Sequence, residues 1–321
     1  MNAQNFSDPA YNQIPSVGCR KREPPARSLA FCVEVVESTL STSPFTKSHC
    51  LRISRRYSAD VSYTFGDSDE ASLRLRRLAE IYEAETRELL GRAHSFAGSQ
   101  SFSLAIDFGC GPGWTTRLIA DVLRPARTIG LESSERYVME ARSHHPDLRF
   151  LQHDVLVAPF PAQNADLLFC RFLLTHLASP HEACKLWAQT IAAPGALLVL
   201  HETESMQSGH PALARYYEMV GQMQRHFGQE LNVGTMLEAA LADTPWQILH
   251  SECRVLEKPA CRMASLHAPN LRTWGKNSFA IQNFDPVELA SLEQELTAIA
   301  EGRIEAGVVH NAARQIVARR S

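Results

Sequence analysis

The sequence predicts an α/β fold, with a mostly parallel sheet covered by helices on both faces. Three observations predict it. From residue 102 to 201, short apolar runs of strand type alternate with amphipathic segments of helical length. A glycine-rich turn, Asp107-Phe-Gly109-Cys-Gly111-Pro-Gly113, closes the first of those runs. The next two runs each lead into an acidic residue, Glu132 and Asp154. Strands and helices that alternate in this way form right-handed crossovers between parallel neighbours.

Residues 1–56 differ from the rest of the chain. They hold five prolines, eight basic and four acidic residues, and no sustained period. A loosely ordered extension is the expectation there, with no secretory leader, because no basic start runs into an apolar stretch. Residues 57–103 are expected to form an N-terminal helix and lid. Leu73, Leu75, Leu78, Ile81, Tyr82, Leu89 and Leu90 recur at helical spacing, which predicts a helix over 68–93 capped by Asp67 or Ser68. A polar linker follows over 95–103.

The alternating region then reads as a strand over 102–108, a helix over 114–122, a strand over 128–131 and a helix over 136–143. Strands follow over 148–151 and 165–170, then a helix over 181–192. Pro194-Gly195 marks a turn before a strand over 196–201. Beyond Glu202 the alternation stops. Residues 211–227 and 235–241 read as helices, 247–256 as a strand, 286–300 as a helix and 308–318 as a last strand. Residues 104–321 are thus one domain, with a helical cap inserted at about 205–245.

Composition narrows the function. With 321 residues, 45% hydrophobic and 21% charged, the chain can bury a full core. A net charge of −3 argues against a general nucleic-acid binder, whose affinity rests on neutralising phosphates. Apolar runs such as 196–200 are far too short to cross a bilayer. The eight cysteines form no C-x-x-C pair, so neither a zinc site nor a disulfide framework is expected. They read as small buried hydrophobes of a cytoplasmic protein.

The turn after the first strand carries the chemistry. Its glycines let the backbone bend sharply and approach a ligand closely. The next helix presents free N–H groups and the positive end of its dipole. In open parallel sheets, ligands bind beyond the carboxyl ends of the strands. Asp107 precedes the glycines, Glu132 lies 19 residues after Gly113, and Asp154 follows the third strand. A carboxylate at Glu132 can accept both hydroxyls of a ribose, and one at Asp154 an exocyclic amine. The dinucleotide fingerprint fails, because Trp114 or Thr116 stands where it needs a small residue. The phosphate-binding loop is also absent. A nucleotide-like cofactor without phosphates requires neither.

With these motifs, residues 57 to 258, and on to about 319, resemble a class I S-adenosylmethionine-dependent methyltransferase. Asp107–Gly113 matches that family's D-x-G-x-G-x-G motif, and Glu132 and Asp154 its second and third acidic motifs. Residues 164–171 (NADLLFCR) and 193–200 (APGALLVL) resemble its fourth and fifth. The style is similar to bacterial-type small-molecule enzymes such as the ubiquinone and trans-aconitate methyltransferases. The resemblance implies a Rossmann-like, seven-stranded mixed sheet and S-adenosylmethionine as cofactor. It implies that Gly109, Gly111 and Gly113 give close backbone approach and that Asp107 holds the methionine ammonium. Glu132 would bind the ribose, Asp154 and the Val155 N–H the adenine, and Arg171 would lie beside the sulfonium. Tyr57 and Tyr63, within 57–65, would belong to a lid.

The reaction so implied is in-line displacement at the sulfonium methyl by a small-molecule acceptor, with a general base optional. His176 and Glu202 are the candidates for that base, and Tyr216 and Tyr217 for acceptor contacts from the cap. His201 is expected to face the opposite side from Glu202. The alternatives are a catalytically inactive S-adenosylmethionine-binding partner and, with weaker support, a nicotinamide-dependent oxidoreductase. No nucleic-acid, membrane or metal partner is expected; a homodimer is compatible with the sequence.

Overall fold

The computed structural model describes residue 66 and residues 68–321. The extension 1–56 and the lid tyrosines Tyr57 and Tyr63 lie outside the described residues.

Among the described residues, seven strands form one sheet: β1 (Leu104–Phe108), β2 (Arg127–Glu132), β3 (Arg149–Gln152), β4 (Ala165–Arg171), β5 (Ala192–Ser208), β6 (Trp246–Pro259) and β7 (Val308–Arg320). Their order is β3-β2-β1-β4-β5-β7-β6. The pairs β1–β2, β2–β3, β1–β4 and β4–β5 are parallel. β7 runs antiparallel between β5 and β6, so the sheet is mixed as expected.

Strand periodicity explains why the parallel strands read as unbroken apolar runs. Ile106, Leu168 and Leu198 fall in one core with Trp187, while Ala105, Phe169 and Val199 fall in another with Leu89 and Ile119. Successive side chains point to opposite faces, and here both faces are covered. On the first face, α5 (Pro180–Thr190) brings Trp187, whose ring stacks on Phe108 at 4.2 Å and whose Nε1 donates to Val155 O at 2.8 Å. The second face is covered by α2 (Glu83–Ala97) and α3 (Trp114–Leu123). α4 (Glu135–His144) packs its Val138 and Ala141 against Phe150 of β3.

Three expectations are corrected. The helix expected over 68–93 is two, α1 (Asp69–Ile81) and α2, meeting at Tyr82. On α1 the buried positions include Arg74, while Leu73 is exposed, so the leucine stripe misstates the inner face. Pro194-Gly195 does not end an element; both lie within β5, which runs on to Ser208 alongside β7.

The cap also exceeds the insert expected at about 205–245. From that stretch come α6 (Pro211–His226) and the short α7 (Leu237–Leu241). Its larger part is α8 (Ala260–Trp274), α9 (Ser278–Asn283) and α10 (Pro286–Ala300), which lie between β6 and β7 in the chain. These helices and α6 share an apolar core of their own that includes Tyr216, Met219, Met263, Trp274 and Leu296. No helix among the described residues is long and apolar enough to cross a membrane.

The join between β2, β3 and the turn after β1 tolerates no added volume. A Cβ on Gly130 would sit 2.6 Å from Phe150 Cδ1 and 2.7 Å from Cys110 Sγ. Gly130→Ala is therefore expected to cost about 1–3 kcal/mol through overpacking, read as a lower denaturation midpoint with an unchanged far-ultraviolet spectrum. A midpoint equal to the parent's would mean that this corner repacks freely.

Candidate functional site

A cavity of about 710 Å³ opens beyond the carboxyl ends of β1, β2 and β4, under α1, α6 and α8. This is where the connections of an open sheet leave in opposite directions, the usual place for a ligand. Within the cavity the glycine turn and all three acids meet: Asp107, Gly109, Gly111, Glu132 and Asp154 contribute to one wall, with Val155 and Arg171.

The turn is pinned by its backbone. Gly109 and Cys110 both donate to Leu131 O, at 2.8 and 3.1 Å, which ties the end of β1 to β2. Gly109 has φ +63°, and a Cβ there would sit 2.8 Å from Leu173 Cδ1. The left-handed backbone and the adjacent leucine both disfavour a side chain there. Gly111 N–H donates to Glu132 Oε2 at 3.0 Å, and Ser134 N–H to Oε1 at 2.9 Å. Ser133 Oγ also donates to Oε1 at 3.2 Å, so the lone pair left on Oε2 is the one open to a ribose hydroxyl. Gly113 is corrected: it does not line the cavity. A Cβ on it would meet Phe150 at 2.9 Å, so it serves the packing of α3 against β3 and α4.

Asp107 is buried and accepts from Thr116 Oγ1 at 2.7 Å. Burial lifts its carboxyl to about 7, against the pull of the Thr116 hydroxyl and the Arg171 charge. A cationic ligand group nearby would favour its ionised form. Asp154 Oδ1 accepts from Leu156 N–H at 2.9 Å, and the Val155 carbonyl takes Trp187 Nε1, which fixes this loop. The Arg171 guanidinium donates to Thr86 Oγ1 at 2.8 Å and Thr115 Oγ1 at 2.9 Å, joining α2 and α3 to β4. Burial lowers its pKa from the ordinary value. The set suits a ligand with an ammonium, a vicinal diol and a flat base, and includes no built phosphate cradle among the described residues. S-adenosylmethionine is such a ligand.

Glu202 and His176 line the other half of the cavity. Glu202 is fully buried, and its Oε1 accepts from the N–H groups of Leu173 at 2.9 Å and Leu174 at 2.8 Å. Its Oε2 has no hydrogen-bond partner among the described residues. Burial raises the carboxyl to about 8, with the backbone N–H groups of Leu174, Leu173 and Thr175 working against the rise. His176 is half-buried in a short 3-10 turn, and its enclosure keeps the imidazole neutral. His201 turns away as expected, against Phe172 and Tyr82 at ring distances of 5.1 and 6.1 Å.

Tyr216 and Tyr217 are corrected: neither lines this cavity. Both are buried in the cap core and hold His267, Tyr216 by stacking at 4.4 Å and Tyr217 through its hydroxyl on Nε2 at 2.9 Å. His267 does line the cavity, as do Arg74, Gln224 and Asn270. Sequence reasoning missed all four. Arg74 is hidden among the arginines of an outwardly amphipathic helix, and His267 and Asn270 lie on a helix that was not foreseen. Among the described residues no group of His, Cys, Asp and Glu is placed to hold a metal ion.

Parts of the chain are similar to known methyltransferases. Residues 105–195 match the family model described as a methyltransferase domain. The chain is similar to trans-aconitate 2-methyltransferase of Paracidovorax citrulli, 31% identical over 41% of this chain and 49% of that protein. It is also similar to the trans-aconitate 2-methyltransferase of Escherichia coli K12, 38% identical over 24% of this chain and 30% of that protein. The chain thus spans half or less of the length of these curated relatives. Among solved structures, geranyl diphosphate C-methyltransferase of Streptomyces coelicolor aligns over 80% of this chain and 87% of its own, at 13% identity and a TM-score of 0.44.

Glu132 gives the direct test of the cofactor wall. Calorimetric titration is expected to show S-adenosylmethionine and S-adenosylhomocysteine binding the parent protein, with NADH silent. Glu132→Ala is expected to weaken both by about tenfold or more, through loss of a charge-assisted hydrogen bond. NADH binding, or unchanged affinity in the variant, would count against this assignment.

Proposed function

We propose that this chain, which carries a class I S-adenosylmethionine-dependent methyltransferase domain, transfers the cofactor's methyl group to a small-molecule acceptor. One observation carries the reading. The cavity that gathers Asp107, Glu132 and Asp154 on its sheet side continues under the cap to a buried, half-satisfied carboxylate, Glu202.

When bound, S-adenosylmethionine supplies a methyl group on a positively charged sulfur, open to in-line attack. The chain's own residues then have distinct tasks. Glu132 and Asp154 orient the cofactor's ribose and base, and Asp107 its ammonium. The Leu173 and Leu174 N–H groups hold Glu202 by Oε1, leaving Oε2 to take a proton from the attacking group of the acceptor. His176, being neutral, can accept or donate a hydrogen bond there. The cap helices close the acceptor off from water, and in such a site aligning two reactants is itself a large part of the rate.

The family-model match ends at residue 195, before Glu202 and most of the cap. Trans-aconitate, the acceptor named for the relatives, is therefore one member of an acceptor panel. Protein incubated with methyl-labelled S-adenosylmethionine and a cell extract is expected to place label in small, acid-soluble products. Label in precipitated protein or RNA would sink the small-molecule reading.

The Glu202 carboxyl gives a pH signature. A base must be ionised to act, so kcat/KM is expected to rise with pH through about 8 and level off above it. Glu202→Gln is expected to lower the rate by about a hundredfold or more and to remove that rise. Stability moves the other way. The folded protein holds this proton more tightly than the unfolded chain. Ionisation therefore costs stability as pH climbs from the ordinary carboxylate range through about 8. Glu202→Gln should lose less thermal stability across that window than the parent. Matching profiles in the two proteins would remove Glu202 from the base role.

A further inference from the structure

We propose that the cap side of the cavity recognises a neutral, apolar-bodied acceptor through its hydroxyl groups, with Gln224 and His267 as the recognising residues. The inference rests on the methyltransferase reading and names the acceptor class within it.

Gln224 of α6 lines the cavity and is 1% exposed. Its Oε1 is buried with no hydrogen-bond partner among the described residues. An amide oxygen only accepts, so the partner it lacks is an O–H or N–H group. The terminal torsion of a glutamine is soft, so the amide can turn Oε1 to a group placed in the cavity. His267 of α8 lines the same cavity. Tyr216 stacks on its ring at 4.4 Å and the Tyr217 hydroxyl engages Nε2 at 2.9 Å, which fixes the imidazole. Its Nδ1 is also buried with no hydrogen-bond partner among the described residues. Burial keeps this ring neutral, so Nδ1 either carries the one ring proton or offers a lone pair. A hydroxyl both donates and accepts, and it meets Nδ1 in either tautomer.

Buried polar atoms are nearly always paired, and leaving one unpaired costs stability. A methionine in place of Gln224 would fill the same space without that cost. Two such atoms, on two helices that line one cavity, therefore point to a polar ligand group. The chemistry of the pair narrows it. A carboxylate brings Gln224 Oε1 no proton. An ammonium does, but it would add a cation where the charge of Arg74 already bears on His267. A neutral hydroxyl satisfies both residues and adds no charge. Met206, Leu231, Met263 and Leu266 also line the cavity, which suits an apolar body between the polar points. Glu202 Oε2 is a further buried atom without a partner among the described residues, on β5. An acceptor that gives one hydroxyl to Glu202 and another to Gln224 carries at least two.

The test uses the full chain saturated with S-adenosylhomocysteine, whose binding is measured first. Calorimetry then compares 2,7-dihydroxynaphthalene, its dimethyl ether and 6-hydroxy-2-naphthoate. The diol is expected to bind at least about tenfold more tightly than the ether and more tightly than the naphthoate. Gln224→Met is expected to weaken the diol by about tenfold, with S-adenosylhomocysteine affinity unchanged and a thermal midpoint no lower than the parent's. Should that variant fail to fold, the diol–ether comparison on the unaltered protein decides alone. Equal binding of diol and ether, tighter binding of the naphthoate, or a diol indifferent to Gln224→Met would overturn the proposal. A lowered midpoint with unchanged diol binding would make Gln224 a structural residue and overturn it too. Absence of S-adenosylhomocysteine binding in the parent would take down the methyltransferase reading with it. Retained binding with no affinity for the diol would overturn the acceptor proposal alone.

Discussion

The backbone turn at Gly109 is the joint on which the site depends. Its N–H, with that of Cys110, closes on Leu131 O at the end of β2. Its Cα face lies so near Leu173 that a methyl group would be 2.8 Å from the leucine side chain. Leu173 N–H in turn donates to Glu202 of β5. A single run of close contacts thus links the carboxyl ends of β2, β1, β4 and β5. The cofactor wall and the proposed base are fixed relative to each other by backbone atoms and one leucine. Such a link tolerates little variation, because interiors are close-packed and a displaced turn would move both halves of the cavity together.

The same joint explains what the sequence made legible. Parallel strands covered on both faces must be apolar at consecutive positions, so β1, β4 and β5 stand out as runs. The turn is glycine where φ is +63° and the Leu173 side chain crowds the Cα, and Glu132 and Asp154 stand at or just past the ends of β2 and β3. Those requirements act on neighbouring residues and so leave local patterns. Glu202 was legible for the same reason, as the acid just past an apolar strand. Gly113 shows the limit of such a pattern. It belongs to the motif in sequence, yet its missing side chain makes room for Phe150 rather than for a ligand.

The cap was poorly legible because its logic is not local. α8 contains Pro269, which normally argues against a helix interior. Proline lacks the N–H that would bond Ser265 O, four residues back. That carbonyl instead accepts from Arg77 Nη1 of α1 at 3.2 Å. A residue far away in sequence therefore repairs the break, and no window around Pro269 could show it. Arg74 is hidden in the same way. Its burial is set by α8, not by the period of α1. A third long-range case is Lys258, which reaches from β6 to Ile81 O at 2.8 Å and to Glu85 at 2.6 Å, closing the corner where α1 turns into α2.

These two kinds of construction divide the cavity. Its sheet side is made largely of backbone groups and short acids at strand ends, positioned by the sheet itself. Its cap side is made of side-chain tips from α1, α6 and α8, positioned by helix packing. α1 is tied down by Tyr137 Oη to Gly66 O at 2.9 Å, by Ser72 to Glu140 and by Asp69 to Arg136. Exposed pairs of the last kind contribute little stability, about 0–1 kcal/mol each. Their effect is to set where α1, and so Arg74, stands over the cavity. Substituting a cap side chain alters the cap side of the cavity without touching the glycine turn or Glu132. On this physical ground, the family-model match over residues 105–195 takes in the glycine turn, Glu132 and Asp154 of the sheet end, whereas Glu202 and the cap helices lie outside it.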